Sequence, residues 1–175
     1  SDLAYPYCWK EFEVLDNGPL RFTAKLVYNP LVIKGDSNVV ETRVISLDKG
    51  SQLNKTVISY TDLKEVTPIV AGIVIHKENP TGYSFDSNAG YIAYADSTQN
   101  PRNNNGVIYV GAVFPASLNA AKAQLFPEAE RKEHGGALGH VLGISDYEPG
   151  TEYVYYWGSG WSKYGFAADT EWTKY

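Results

Sequence analysis

The C-terminal residues 151–175 bring together the kinds of side chain that bind a sugar. They hold nine aromatic residues, and residues 155–163 read YYWGSGWSK, in which large rings are interleaved with glycine and serine. The rings of tryptophan and tyrosine present flat apolar faces beside polar edges, and these match the C–H faces and hydroxyls of a pyranose. We therefore expect part of this tract to face a carbohydrate ligand.

Some rings of the tract are explained by packing alone. Tyr153, Tyr155 and Trp157 occupy alternate positions, which is the spacing of side chains on one face of a strand in a β-sandwich. Other residues of the tract are harder to explain by packing. The ligand candidates that remain are Tyr156, Trp161 and Lys163.

The three histidines are further candidates, because imidazole titrates near neutral pH and serves as an acid or a base. His76 ends the apolar run 69–75, where a strand leaves the core and its last side chain can face a cleft. Functional and structural roles for His76 both stay open. His140 alternates with leucines, which is typical of a hydrogen-bonded core histidine, although glycines nearby leave room for a ligand. His134 follows a charged stretch and is expected at the surface.

Several other chemistries are disfavoured. No pair of histidines has metal-ligand spacing, and one cysteine, Cys8, makes no cluster. The nucleophile elbow Gly-x-Ser-x-Gly is absent, and residues 157–161 lack the strand-to-helix context of a phosphate loop. We predict no metal site and no cofactor. Glycoside hydrolysis would need two carboxylates at a catalytic separation, and we expect the acidic candidates to be solvated: Asp146, Glu148, Glu152, Asp169 and Glu171.

Composition limits the partners. At 175 residues, 43% of them apolar, the chain is long enough to form one domain, residues 1–175, around its own core. A net charge of −5 with scattered Lys and Arg gives no basic stripe, so we predict no nucleic-acid partner. No apolar run is long enough to span a bilayer, so we predict no membrane insertion. The chain contains no methionine, and we expect it to be part of a longer protein.

The dominant periodicity along the chain is two, which is typical of half-buried strands. Residues 20–28 alternate apolar and polar side chains, and Gly, Pro, Asn and Asp clusters separate eight similar runs. Only residues 116–125 show helical spacing, with a proline just outside each end. The fold class predicted is an all-β antiparallel sandwich with one short helix. The other predicted strands are residues 9–15, 39–47, 53–60, 68–76, 90–95, 107–114, 137–144 and 152–157.

The sequence also predicts turns between these runs. Asp48-Lys49-Gly50 is predicted to be a tight hairpin turn, and Gly18-Pro19 is predicted to join the first two strands. Residues 79–90 and 97–106 are too long for simple turns. These two polar loops either rim a cleft or are solvated connections; the second contains Asn100, Asn103, Asn104 and Asn105.

Four stretches of the chain carry a family resemblance. They are residues 14–21 (VLDNGPLR), 45–55 (ISLDKGSQLNK), 139–140 (GH) and 155–163 (YYWGSGWSK). They are similar to those of an uncharacterised-domain family encoded largely in Bacteroidetes polysaccharide-utilisation loci, alongside pectin- and ulvan-type degradation enzymes. Within that family pattern His76, His140 and the Trp161-Ser162-Lys163 block fall on matching positions.

The resemblance implies a fold, a location and a partner. The fold is a β-supersandwich similar to galactose mutarotase and to the β-domains of polysaccharide lyases, and the location is periplasmic or extracellular. Members are typically about twice this length, so the chain resembles their C-terminal half and its expected partner is the N-terminal half of the same protein. The implied substrates are acidic plant or algal oligosaccharides.

These features favour an enzyme that acts on uronate-containing oligosaccharides by elimination, as a lyase or dehydratase. Elimination needs a base for the C–H proton, an acid for the leaving oxygen and a cation or strong donor for the enolate-like intermediate. His76 or His140 is the expected base and Tyr156 the acid. The expected partner of the substrate carboxylate is Lys163 or Arg43, and Trp161 is expected to bind substrate.

Three alternatives stay open. In the first, the chain is a non-catalytic carbohydrate-binding module whose aromatic tract stacks on sugars. In the second, it is a mutarotase-like sugar epimerase, an activity implied by fold resemblance alone, and fold does not fix function. In the third, it scaffolds a site on the other half of the protein and exposes a large apolar face when isolated.

Overall fold

The computed structural model describes residues 3–97, 101–116 and 118–175. Within them lie twelve β-strands, one short α-helix and 3₁₀ turns at Pro101–Asn103 and Glu128–Glu130. The elements are β1 (Trp9–Asn17), β2 (Arg21–Tyr28), β3 (Leu31–Ile33), β4 (Asp36–Asp48), β5 (Leu53–Thr61), β6 (Thr67–Ile75), β7 (Tyr83–Asp86), β8 (Tyr91–Ser97), β9 (Val107–Val113), β10 (Ala120–Leu125), β11 (Gly139–Tyr147), β12 (Tyr153–Trp161) and α1 (Asp169–Trp172).

The predicted all-β antiparallel fold with one short helix is confirmed. Each of the nine predicted runs coincides with a strand, because alternation of apolar and polar residues matches the alternation of side chains across a pleated sheet. The sequence did not reveal β3, β7 and β10. Two of these have only three and four residues, too few for an alternating pattern to be recognised.

The position predicted for the helix is wrong. Ala120–Leu125 forms β10, which pairs antiparallel with β11 along all six residues. Alanine, lysine, glutamine and leucine favour helices, but an isolated helix of about ten residues is marginal in water. Strand β11 instead offers a backbone hydrogen-bond partner at every step. Ser117, inside the predicted helix, lies outside the described residues, and the helix observed is α1.

One of two compact units contains the described residues of Ser1–Pro68 and Asp146–Tyr156. Its strands follow the order β1-β2-β4-β5-β12, and β3 pairs with β4 beside this path. The strand pairs β1–β2, β2–β4 and β4–β5 are all antiparallel. The core of the unit contains Ala24, Val39, Ile58, Tyr147 and Tyr153, together with the polar residues Thr23, Glu41 and Thr56.

Both predicted turns of this unit are confirmed. The Ser51 N–H donates to the Asp48 carbonyl at 3.0 Å, and Gly50 has a φ of +86°, a conformation that glycine adopts without steric cost. The Gly18 N–H donates to the Arg21 carbonyl at 3.0 Å, where β1 turns into β2. The turn chemistry therefore fixes the register of these hairpins.

Strand β1 is at the end of this strand order, and all nine of its residues are exposed. Phe12 pairs across the ladder with Leu26, and Val14 pairs with Ala24. Directly paired residues point to the same face, so this face carries exposed apolar side chains at Phe12 and Val14. The alternation that predicted strands therefore did not tell which apolar residues are covered.

The second compact unit contains the described residues of Ile69–Ser145 and Trp157–Tyr175, so β6, β11 and β12 contribute residues to both units. It combines the strand order β12-β9-β8-β7 with a three-stranded sheet, β10-β11-β6. Strands β7 and β10 contact each other, and a Cβ at Gly143 of β11 would meet the Phe114 ring at 2.8 Å. The two sheets therefore contact each other within this unit. The prediction of a single domain stays a prediction.

No helix in the described part of the chain has the length and apolar character needed to cross a membrane.

Candidate functional site

His76 and Asp96 form a pair at the surface of the second unit. His76 follows the last residue of β6, the fully buried Ile75, and Asp96 lies on β8. The Nδ1 atom of His76 lies 3.0 Å from Oδ1 of Asp96, and the side chains are 46% and 28% exposed. A carboxylate at Nδ1 keeps the proton of the neutral imidazole on that nitrogen, which leaves Nε2 as an acceptor. This is the arrangement of a general base that is oriented by a carboxylate.

Tyr94 fixes the backbone at His76. Its hydroxyl accepts a hydrogen bond from the His76 N–H at 3.0 Å and donates to the Asn79 carbonyl at 3.0 Å. The two rings meet edge to face, with centroids 6.4 Å apart. Burial raises the pKa of Tyr94, and the Asp96 and Glu78 carboxylates add to this effect, although the hydrogen bond with the His76 backbone opposes it. The hydroxyl is therefore protonated and can donate at neutral pH.

A half-open pocket of about 290 Å³ lies beside Tyr94 in the same unit. The turn from His76 to Asn79 connects the pocket to the His76–Asp96 pair, since the Asn79 N–H donates to the His76 carbonyl at 3.3 Å. The Asn79 side chain also donates to the Ala95 carbonyl at 2.8 Å. The wall includes Asn79, Tyr83, Tyr94, Tyr109, Asp169 and Trp172.

The Trp161-Ser162-Lys163 block binds the backbone of the loop before β9. The indole N–H of Trp161 donates to the Asn105 carbonyl at 2.8 Å, and Lys163 Nζ donates to the Asn104 carbonyl. Ser162 Oγ accepts a hydrogen bond from the Val107 N–H at 2.8 Å. The structure therefore brings Trp161 and Lys163 together around this loop. Asn100, predicted in the same loop, lies outside the described residues.

His140 lies on β11 and is half-buried against Phe126. The rings of His140 and Phe126 meet edge to face at 5.2 Å, while His134 stacks on Phe126 with centroids 3.9 Å apart. Burial lowers the pKa of His140, and the neighbouring His134 imidazole lowers it further. His140 is therefore neutral at pH 7, which suits either a base or a packed core histidine.

Arg43 lies in the first unit, on β4, and is held by a buried carboxylate. Its Nε donates to Glu41, whose side chain is only 2% exposed, and Tyr60 donates to the other Glu41 oxygen at 2.9 Å. The guanidinium also lies 5.0 Å from the centre of the Tyr28 ring. Burial lowers the pKa of Arg43, but the Glu41 charge and hydrogen bond more than offset that and the net shift is upward. Arg43 is therefore a fixed cation.

Two tyrosines near this ion pair also stay protonated. Burial, followed by the Glu41 charge, raises the pKa of Tyr60. Burial raises the pKa of Tyr155 as well, and Arg43 only partly opposes it. The predicted acid, Tyr156, is half-buried and directly follows Tyr155 on β12.

The structure thus brings two of the six predicted site residues, Trp161 and Lys163, together around one loop. His76 pairs with Asp96, His140 packs on Phe126, and Arg43 pairs with Glu41. Sequence reasoning missed Asp96, Tyr94 and Glu41. A signal for Glu41 was present, because residues two apart on a strand point to the same face, which places a carboxylate beside Arg43. Asp96 had no comparable local signal, since it lies on another strand, twenty positions from His76.

Among the acidic candidates, Asp169 lines the pocket, and Glu171 accepts a hydrogen bond from the Ala167 N–H at 2.6 Å. The side chains of Asp146, Glu148 and Glu152 are at exposed positions. Within the described ranges, no group of three or more His, Cys, Asp or Glu side chains is placed to hold a metal ion.

Comparison with known proteins shows the family of the chain and leaves its activity open. No curated protein matches the chain. No solved structure matches it either. One family model, described as domain of unknown function DUF4861, matches residues 1–175. The aromatic block, the histidines and the antiparallel strands described above are thus features of a chain that belongs to the DUF4861 family.

Proposed function

We propose that the protein is a carbohydrate-active enzyme that acts on uronate-containing oligosaccharides by elimination, as a lyase or dehydratase. The observation that supports this most is the His76–Asp96 pair, with 3.0 Å between Nδ1 and the carboxylate oxygen. The C–H group next to a uronate carboxyl is acidic, and its removal requires a positioned base. A half-exposed imidazole oriented by a carboxylate meets that requirement.

In the proposed step, Nε2 of His76 takes the proton from the carbon next to the carboxyl group. The electrons of the broken C–H bond form a C=C bond to the neighbouring carbon, and the C–O bond on that carbon breaks. The departing oxygen takes up a proton from an acid. It leaves as the hydroxyl of another sugar in a lyase and as water in a dehydratase, so the step needs no oxidant or reductant.

Arg43 supports the acidic substrate class independently. Its Nε is engaged by Glu41, and its guanidinium lies over the Tyr28 ring, so its orientation is restricted. A planar guanidinium binds a carboxylate through two parallel hydrogen bonds, and a fixed one loses less entropy on binding. The resemblance to proteins of polysaccharide-utilisation loci supports the same substrate class and a periplasmic or extracellular location.

The test is to incubate the full-length protein with saturated and unsaturated uronate oligosaccharides while recording ultraviolet absorbance and product mass. We expect a new double bond or the loss of water. His76→Gln should reduce the rate by about 10²–10⁴, the range for removal of a general base, and Asp96→Asn should reduce it at least tenfold. His134→Gln, which changes a histidine stacked on Phe126, is the matched control and should retain activity. Absence of both products from every substrate would sink the proposal.

A non-catalytic carbohydrate-binding module is the second candidate, because Trp157, Trp161 and Tyr164 expose large parts of their rings. Exposed aromatic faces stack on sugars without any chemistry. In that case Trp161→Ala abolishes oligosaccharide binding in calorimetry, while His76→Ala and His140→Ala change only stability. Retention of binding by Trp161→Ala would exclude this candidate.

A further inference from the structure

We infer that the pocket beside Tyr94 binds a neutral sugar residue of the substrate, next to the uronate on which His76 acts. This inference rests on the proposed function only in treating the bound sugar as part of a substrate. Binding of a sugar in the pocket does not depend on catalysis. The pocket lies within one compact unit. Two features connect its wall to the His76–Asp96 pair: Tyr94, which binds the His76 backbone, and the turn from His76 to Asn79.

The chemistry of the wall matches a sugar. Three aromatic residues line the pocket: Tyr83, Tyr109 and Trp172. Tyr109 and Trp172 are only 5% and 6% exposed, so the half-buried Tyr83 presents most of the aromatic surface to C–H groups. Hydroxyl and amide groups come from Thr81, Ser84, Thr173 and Asn79. A wall of rings and small polar groups is typical of sites that bind polyhydroxylated molecules.

The charge of the wall disfavours an acidic sugar. Among the described residues that line the pocket, Asp169 carries the only charge. The pKa of Tyr109 is raised first by burial and then by the carboxylates of Asp169 and Glu171, so negative charge acts on this residue of the wall. A uronate entering here would meet a like charge and find no cation, which costs binding free energy. A neutral sugar meets no such penalty.

The size of the pocket limits the ligand to about one sugar. Its volume of about 290 Å³ lies at the low end of the roughly 300–1,000 Å³ that is usual for small-molecule sites. The half-open mouth leaves room for the rest of an oligosaccharide to continue outside. A substrate in which neutral sugars and uronates alternate would satisfy both the pocket and the base.

The experiment is a titration of the ¹⁵N-labelled full chain, followed at the indole N–H resonance of Trp172, which Trp172→Phe identifies. The probes are neutral methyl pyranosides of hexose, pentose and 6-deoxyhexose type and, for comparison, methyl glucuronide. We expect the neutral glycosides to shift the Trp172 resonance and methyl glucuronide to bind at least fivefold more weakly. Methyl glucuronide binding equal to or tighter than that of the neutral probes would overturn the inference.

Asp169→Asn tests the charge argument directly, and Glu171→Gln is its matched control on the same helix, because Glu171 does not line the pocket. Asp169→Asn should reduce the preference for neutral glycosides to less than twofold, while Glu171→Gln should retain most of it. If no neutral glycoside shifts the Trp172 resonance, the pocket assignment is wrong even if elimination is observed. If neutral glycosides bind but no elimination occurs, only the proposed function fails.

Discussion

The hydroxyl of Tyr94 accepts a hydrogen bond from the backbone N–H of His76 at 3.0 Å. It thereby joins a buried side chain of β8 to the first residue after β6. The imidazole of the same residue is held by Asp96, two positions after Tyr94. His76 is therefore fixed at both its backbone and its side chain by one strand.

Tyr94→Phe is expected to destabilise the fold by about 1–3 kcal/mol, because it leaves the partly buried His76 N–H and Asn79 carbonyl without this partner. The urea midpoint of unfolding measures the loss. Tyr164→Phe is the control, since Tyr164 is largely exposed and should change stability by no more than about 0.5 kcal/mol. Equal effects of the two substitutions would contradict the structural role of the Tyr94 hydroxyl.

Glu41→Ala is expected to cost about 3–5 kcal/mol, because removal of one partner leaves a partly buried Arg43 uncompensated. Asp48→Ala is the matched control on the same strand. Its partner is Arg21, and both side chains are more than half exposed, so the expected cost is about 0–1 kcal/mol. Chemical denaturation of both variants decides the matter, and a Glu41→Ala cost no larger than that of Asp48→Ala would show that the Glu41 site is not closed to water.

His140 predicts a pH dependence of stability. Its folded pKa lies below its ordinary value because of burial and, second, His134. As pH falls through the ordinary histidine pKa, the unfolded chain binds a proton that the folded chain resists, so stability decreases toward acid and is fully present above that pKa. The difference in urea midpoint between pH 7.5 and pH 5.5 should shrink in His140→Gln.

His134→Gln is the control for that measurement. Because burial is the larger cause of the shift at His140, removing the His134 imidazole should preserve most of the pH dependence. A wild-type midpoint difference that His140→Gln leaves unchanged would assign the acid sensitivity to other groups.

Gly139→Ala is expected to destabilise the β10–β11 hairpin. A Cβ at this position would lie 2.2 Å from the Gln124 carbonyl oxygen and 2.7 Å from the Leu125 Cα, both of which are backbone atoms that cannot move independently. We expect a loss of about 1–3 kcal/mol or more, as for an overpacked core. At Gly72 the nearest atom is the flexible end of Leu142 at 3.0 Å, so Gly72→Ala should cost less. Thermal unfolding of both variants measures the two losses of stability.

Ser162→Ala is expected to loosen the loop before β9, because the Val107 N–H loses its acceptor. Amide hydrogen exchange at Val107 should become at least tenfold faster, which corresponds to about 1.4 kcal/mol of local stability. Ser159→Ala, at an exposed position of β12 three residues before Ser162, should leave exchange at Val107 unchanged. Unchanged exchange in Ser162→Ala would show that the Ser162 hydroxyl does not hold the loop.

The strands were predictable because their signal is local. Alternation located nine of them, and glycine located the turn at Gly50, where φ is positive. The helix prediction for the segment of β10 was wrong for the same reason. Its helix-forming composition is a local feature, whereas its partner strand, β11, lies elsewhere in the sequence. Tertiary pairing decided this element against its propensity.

The candidate site was less predictable than the fold. The end of the apolar run 69–75 singled out His76, whose side chain is 46% exposed, but its partner Asp96 lies on another strand and could not be predicted from spacing. The aromatic block was singled out for sugar binding, yet its polar groups at Trp161, Ser162 and Lys163 bind backbone groups of a neighbouring loop. A side-chain donor identified in a sequence does not reveal which acceptor it uses.

The burial of Trp172 gives the protein an optical reporter. Trp172 is 6% exposed, whereas Trp9, Trp157 and Trp161 are at least 40% exposed. Emission at the blue edge of the spectrum should therefore come mainly from Trp172, the residue in the wall of the pocket, and emission at the red edge from the other three tryptophans. Libraries of unlabelled oligosaccharides could then be screened by the change in blue-edge fluorescence, without knowledge of the reaction.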